Sequence, residues 1–374
     1  MYPRSARRTQ DLKSHYITGL ALLASSVLLA ACAADGAQGA GPSQAGGSAT
    51  DQAPSSVVRL LAHDSFVLSE QIIADFEAQS GLDLQVVTAG DAGTMVAGAI
   101  LAAGQPTADL LFGIDNTLAT RAVESGVFEP YQPGQAGVLD PALALPGGVL
   151  TPIDYGDVCI NIDDAWFAKA GLAAPTSLDD LLLPAYRDLL VVQDPATSSP
   201  GLAFLLATIA RYPDSWQEYW AALRDNGVKV AGSWSDAYLG DFTGGGGPGD
   251  RPLVVSYATS PPAQIVYAAD PKPSRPSTSV MTDGCYRQVE YAGVLAGAAN
   301  PAGARAVIDW LISPEVQQDV PLNMFVFPAR TGTALPEVFT DFAAKVDQPL
   351  QLPANQVAEG LAQWLQDWGM VMGR

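Results

Sequence analysis

From residue 57 onward, short apolar runs alternate with stretches in which apolar side chains recur every three or four positions. Val57 to Leu61 reads as a buried strand that stops at the polar cluster Ala62-His63-Asp64-Ser65-Phe66. A helix follows, with Ser69 as its N-cap, Ile72, Ile73 and Phe76 on one face, and Gly81 as its stop. Leu82, Leu84 and Val86 alternate as a second strand, and Thr94 to Ala103 reads as an Ala-rich helix. Ala108 to Phe112 is a third strand, ending in Gly113-Ile114-Asp115-Asn116. Strands alternating with helices predict a parallel sheet.

The rhythm resumes at Leu189 to Val192, a strand that runs into Gln193-Asp194-Pro195-Ala196-Thr197-Ser198-Ser199-Pro200-Gly201 before a helix over Leu202 to Arg211. Ser215-Trp216-Gln217-Glu218 has the form of a capping box opening a helix that stops near Gly227. Val228 to Val230 and Leu253 to Val255 are further strands. The polar clusters fall at the carboxyl ends of strands, where open α/β sheets bind ligands. Two extended stretches, Thr151 to Ile162 and Cys285 to Val294, separate the α/β blocks and read as two hinge crossings. The expected organisation is therefore one lobe from 57–153 with 286–344, a second from 154–285, and a C-terminal helical segment over 345–374. The glycine run 244–249 lacks the Lys-Ser/Thr ending of a phosphate loop, so ATP binding is not supported.

At 374 residues the chain is long enough for two globular lobes. Its first residues are a separate object. Arg4, Arg7, Arg8 and Lys13 form a positive head, and Ile17 to Ala31 an apolar run too short to span a membrane. No apolar pair follows Arg7-Arg8 closely, which argues against twin-arginine export. The run ends in Leu29-Ala30-Ala31-Cys32, the pattern of a lipoprotein signal, so 1–31 is expected to be removed and Cys32 lipidated. Residues 32–56, rich in Gly, Ala, Ser and Gln, then form a flexible tether reaching about 25–30 Å. This places the protein outside the cell, anchored by lipid to the outer face of the cytoplasmic membrane.

Export changes the reading of charge and cysteine. The formal net charge is −20, and the signal segment holds four basic residues and one acid, so its loss deepens the imbalance. Such a surface disfavours nucleic acid and favours cationic solutes. Cys159 and Cys285 remain in a compartment where disulfides persist, and they are expected to bridge the two hinge stretches. With His15 lost, His63 is the sole histidine, too few ligands for a metal centre.

Several blocks in order then resemble the thiamine-binding proteins of bacterial ABC importers. They are His-Asp-Ser-Phe (63–66), Gly-Ile-Asp-Asn (113–116), Ile-Asp-Tyr-Gly (153–156), Gln-Asp-Pro-Ala-Thr-Ser-Ser-Pro-Gly-Leu (193–202), Trp-Ser-Asp-Ala-Tyr (234–238) and Val-Ser-Tyr-Ala-Thr-Ser-Pro (255–261). Gln288-Val289-Glu290, Trp310 to Pro314, Trp364 and Trp368 extend the likeness. It implies a type II periplasmic-binding fold, two α/β lobes joined by two hinge strands. It also implies a monomer that takes thiamine or its phosphates, needs no cofactor, and hands the ligand to a permease and its ATPase.

Thiamine carries a cationic thiazolium, an aminopyrimidine and a hydroxyethyl arm, so its site needs aromatic faces, carboxylates, and hydroxyl or backbone donors. The resemblance puts ring contacts on Trp234 and Tyr257 and the arm on Ser198 with Thr197. Asp64, Ser65, Asp91, Thr94, Asp115 and Asp154 are polar wall candidates. His63 and Phe325 stand where the family often has tyrosine and tryptophan, and Ala263 replaces a second tyrosine. The thinner aromatic box keeps rival solutes of the same fold open: ferric iron, a polyamine or an oxyanion. A thiamine-degrading enzyme is the rival from another class, with Cys159 as nucleophile and Glu290 as base, and it requires a free thiol.

Overall fold

The computed structural model describes residues 55–374. The expected signal segment 1–31, Cys32 and nearly all of the tether 32–56 lie outside them.

The strands are β1 (Val57–Ala62), β2 (Asp83–Thr88), β3 (Leu110–Asp115), β4 (Phe128–Glu129), β5 (Thr151–Asp163), β6 (Leu190–Gln193), β7 (Lys229–Ala231), β8 (Leu253–Tyr257), β9 (Thr278–Leu295) and β10 (Phe327–Pro328). The helices are α1 (Glu70–Ser80), α2 (Ala92–Leu101), α3 (Ala119–Glu124), α4 (Asp164–Ala170), α5 (Ser199–Arg211), α6 (Trp216–Asp225), α7 (Ala263–Val266), α8 (Pro301–Leu311), α9 (Pro314–Asn323), α10 (Glu337–Phe342) and α11 (Ala354–Met372). The sheet order is β2-β1-β3-β9-β5-β8-β6-β7, with β10 on β5 and β4 on β9.

The parallel sheet expected from the βα rhythm is present only at the two ends of this order. β1 pairs parallel with β2 and β3, and β6 pairs parallel with β7 and β8. The middle is antiparallel, because β5 and β9 run side by side over most of their length and hydrogen-bond outward to β8 and β3. These two strands contain the expected hinge stretches, and a disulfide joins Cys159 to Cys285 across them.

Two apolar clusters form on either side of this antiparallel centre. The first gathers Leu60, Met95, Leu111, Phe112, Ile153, Val289 and Val307; the second gathers Val158, Val192, Phe204, Trp220, Val255 and Tyr286. β5 and β9 thus contribute to both, and Tyr257 packs against both. Helix α11 belongs to the second cluster through Val357, Leu361 and Trp368, whose indole meets Trp220 edge-on.

Local signals are met unevenly. Gly81 ends α1 in the left-handed conformation, its N–H returning to the Glu77 carbonyl. Ser69 and Ser215 stand at the N-cap positions of α1 and α6, but neither side chain makes a capping bond. Helix α2 starts at Ala92, ahead of the predicted Thr94, because Asp91 accepts from the Ala92 N–H at 2.6 Å.

Candidate functional site

The polar ends of β1, β3, β6 and β8 converge on the β5–β9 centre. Glu290 on β9 is in register with Asp115 on β3 on one side and with Asp154 on β5 on the other. Residues directly opposite on antiparallel strands point to the same face, so three carboxylates stand in a row across β3, β9 and β5. All three are buried, Asp115 and Asp154 completely.

Each member has a different environment. Asp115 accepts through one oxygen from the Thr117 N–H and hydroxyl and the Leu118 N–H, at 3.0, 2.6 and 3.2 Å, and through the other from Gln288 Nε2 at 2.8 Å. Burial still pushes its carboxyl up to about 7, against the Thr117 bonds and with help from the Glu290 charge. Burial, then the charge of Glu290 and a side-chain hydrogen bond with it, hold the Asp154 carboxyl well above the usual range. Glu290 faces His63, whose Nε2 lies 3.4 Å from its Oε1.

His63 is held there by shape. Its ring tilts against Phe112 at 5.8 Å between centroids, over Gly113, where a Cβ would fall 2.2 Å from His63 Cδ2. Burial works against the imidazole proton, but Glu290, then Asp91 and Asp64, outweigh it and raise the pKa above the ordinary histidine value.

Of the aromatic candidates, Tyr257 stands beside this row, and Trp234 is joined to Asp91 and Ser256. Trp234 Nε1 donates to Ser256 Oγ at 3.0 Å, and the indole stacks on Tyr238 at 5.0 Å. The Trp234 N–H donates to Asp91 Oδ2 at 2.8 Å, so Asp91 caps α2 with one oxygen and fastens the tryptophan turn with the other. Tyr257 donates from its hydroxyl to Gln288 Oε1 at 3.0 Å and feels the charges of Glu290, Asp91, Asp115 and Asp154, which together with burial raise its phenol. Its ring occupies space left by Gly156 on β5, where a Cβ would lie 2.8 Å from Tyr257 Cδ1.

Phe325 adopts φ +56°, a left-handed conformation unfavourable for an aromatic residue, and lies 5.5 Å from the ring of Tyr267. Tyr267 was not singled out in the sequence. It follows Ala263 by four residues at the end of α7, one helical turn on, and so brings a ring back close to where the sequence had lost one. The signal that points to it is this i to i+4 spacing.

The remaining candidates tie the β1 side of the site to the β6 side. The Ser65 hydroxyl is 3.5 Å from that of Ser235, and the Thr94 N–H donates to the Thr197 carbonyl at 3.2 Å. Thr197 Oγ1 bonds the Gly232 carbonyl at 2.7 Å. Ser198 is fully buried at the N-cap of α5 without capping it, beside the Asp91 carboxylate. Asp64 lies at the exposed rim, its N–H bonded to the Gly90 carbonyl at 2.9 Å. Among the described residues no group of three or more His, Cys, Asp or Glu side chains is arranged to hold a metal ion. The bridge to Cys285 consumes the Cys159 thiol, the nucleophile that the thiamine-degrading alternative requires.

The chain is 29% identical over 319 residues to a thiamine-binding periplasmic protein of Brucella melitensis, covering 83% of this chain and 90% of that one. It is 30% identical over 265 residues to the thiamine-binding periplasmic protein of Haemophilus influenzae, covering 70% and 74%. Among solved structures, a periplasmic thiamin binding protein superposes with a TM-score of 0.74 at 25% identity, over 85% of this chain and 96% of that one. A family model described as bacterial extracellular solute-binding protein matches residues 105–353. The chain belongs to the bacterial extracellular solute-binding protein family, whose members bind solutes.

Proposed function

We propose that this protein captures thiamine or a thiamine phosphate outside the cell and delivers it to an ABC importer. The observation that carries the reading is Tyr257 beside the buried row Asp115–Glu290–Asp154, with Trp234 fastened to the Asp91 carboxylate and to Ser256 next to Tyr257. An organic cation gains from aromatic faces and carboxylates together, and a cation–π contact contributes about 0.5–2 kcal/mol. The turn before α5, with Thr197 and Ser198, suits the hydroxyethyl arm or its phosphate. The names of the relatives support the same ligand.

In this reading 57–153 with 286–344 forms one lobe and 154–285 the other, and the lobes close on the ligand by bending at β5 and β9. The monomer is tethered by lipid on Cys32 and meets a permease coupled to an ATPase. His63, Asp64, Ser65, Asp91, Thr94, Thr197, Ser198 and Phe325 line the gap beside Trp234 and Tyr257. Calorimetric titration with thiamine and its mono- and diphosphate is the test. Trp234→Ala and Tyr257→Ala are each expected to weaken binding by about 1–2 kcal/mol while leaving the chain folded. Unchanged affinity in both variants would remove the site assignment, and a wild-type protein indifferent to every thiamine form would remove the function.

A further inference from the structure

We propose that Glu290 is the residue that recognises the positive end of the ligand, and that the His63 imidazolium occupies this carboxylate until the ligand displaces its proton. The inference rests on the solute reading above and adds to it a residue, a competitor and a proton.

The placement is specific to Glu290. It is the middle of three carboxylates in register on adjacent strands, with Asp115 on one side and Asp154 on the other. Asp115 is already engaged by Thr117, Leu118 and Gln288. Asp154 is fully buried and its carboxyl meets that of Glu290, a costly pairing unless a proton or a cation is shared between the two. The cationic side chain at the row is His63, at 3.4 Å from Glu290 and itself buried.

Arg287, three residues earlier on β9, is committed to Asp157 and does not reach across. The other ionisable groups facing the pair are Asp91 at the start of α2, Asp64 after β1, Asp115 on β3, Asp154 on β5 and Tyr257 on β8. All of them are acids. A ligand bearing a fixed positive charge therefore competes, in this reading, with the imidazole proton that Glu290 favours. Binding both would leave two cations sharing a buried pocket, so the imidazole proton leaves as the ligand arrives. The binding reaction is one ligand cation in and one proton out to solvent.

The consequence is affinity that declines on acidification, by up to about tenfold per pH unit below the His63 pKa. Glu290→Gln keeps the shape of the side chain and removes its charge; it is expected to weaken thiamine binding at least tenfold and to remove the pH slope. His63→Gln is expected to strengthen binding below pH 7 and to abolish the proton release that calorimetry reads in buffers of different ionisation enthalpy. A third measurement needs no ligand: the His63 imidazole resonances, titrated by NMR, should move to lower pH in Glu290→Gln. Equal His63 titration in the two proteins overturns the inference whatever the solute. Thiamine bound within twofold as well by Glu290→Gln overturns it too, whereas a wild-type protein that ignores thiamine overturns only the identity of the ligand.

Discussion

Gly113 shows how much of the site depends on a missing atom. Its φ of +92° and the His63 ring directly above it leave no room for a Cβ. Gly113→Ala is therefore expected to cost about 1–3 kcal/mol, read as a lowered denaturation midpoint, and to shift the His63 titration because the ring must move off Glu290. Gly156 does the same for Tyr257. The sequence made His63, Asp115, Asp154 and Tyr257 visible as polar or aromatic residues at strand ends. It left Glu290 as a possible base and Tyr267 unnoticed, because what makes each of them relevant is a neighbour distant in the chain. Asp91 was legible as a wall candidate, and its bonds in the structure are those of a helix cap and a loop clasp.

Among elements, β5 and β9 decide the arrangement. Each contributes side chains to both apolar clusters, and their pairing sets Glu290 against Asp154 and Cys159 against Cys285. Replacing both cysteines by alanine is expected to lower stability by about 2–5 kcal/mol, measured by chemical denaturation, since the bridge closes a loop of 126 residues in the unfolded chain. The helix starts α2 and α5 meet through Thr94 and Thr197, so the turns that the sequence marked as polar clusters form one wall. Element types were readable from apolar periodicity in α6, which buries one face, while α5 is buried all round and was marked by its length and its Ser-Pro-Gly start. The antiparallel centre was not, since strand direction depends on where the chain returns rather than on any local pattern.

Across the whole molecule, buried acids and a net charge of −20 act in the same direction. Asp115, Asp91 and Asp154 all have raised carboxyls, and Asp115 titrates at about 7 against an ordinary value of 3.8. A group whose folded pKa is raised contributes stability at low pH that is lost as pH climbs through the folded value. His63, also raised, adds to the same trend over neutral pH. The ligand-free protein is thus expected to melt at lower temperature at pH 8 than at pH 5. A cationic ligand should recover more of that loss at pH 8, above the value of about 7 at which Asp115 loses its proton. Thermal scans at the two pH values, with and without thiamine, check both parts, and a midpoint that rises steadily from pH 5 to pH 8 would contradict them.

The sequence by itself determined the α/β class, the elements with strong periodicity, the exported character of the chain and the residue types a flat organic cation requires. These are encoded by neighbours in the chain: caps, alternating apolar positions, a charged head before an apolar run. Only the tertiary structure decided that Glu290 stands between Asp115 and Asp154, that His63 faces it, and that Tyr267 joins Phe325. Those contacts bring together residues separated by more than fifty positions, and their geometry comes from strand register and close packing.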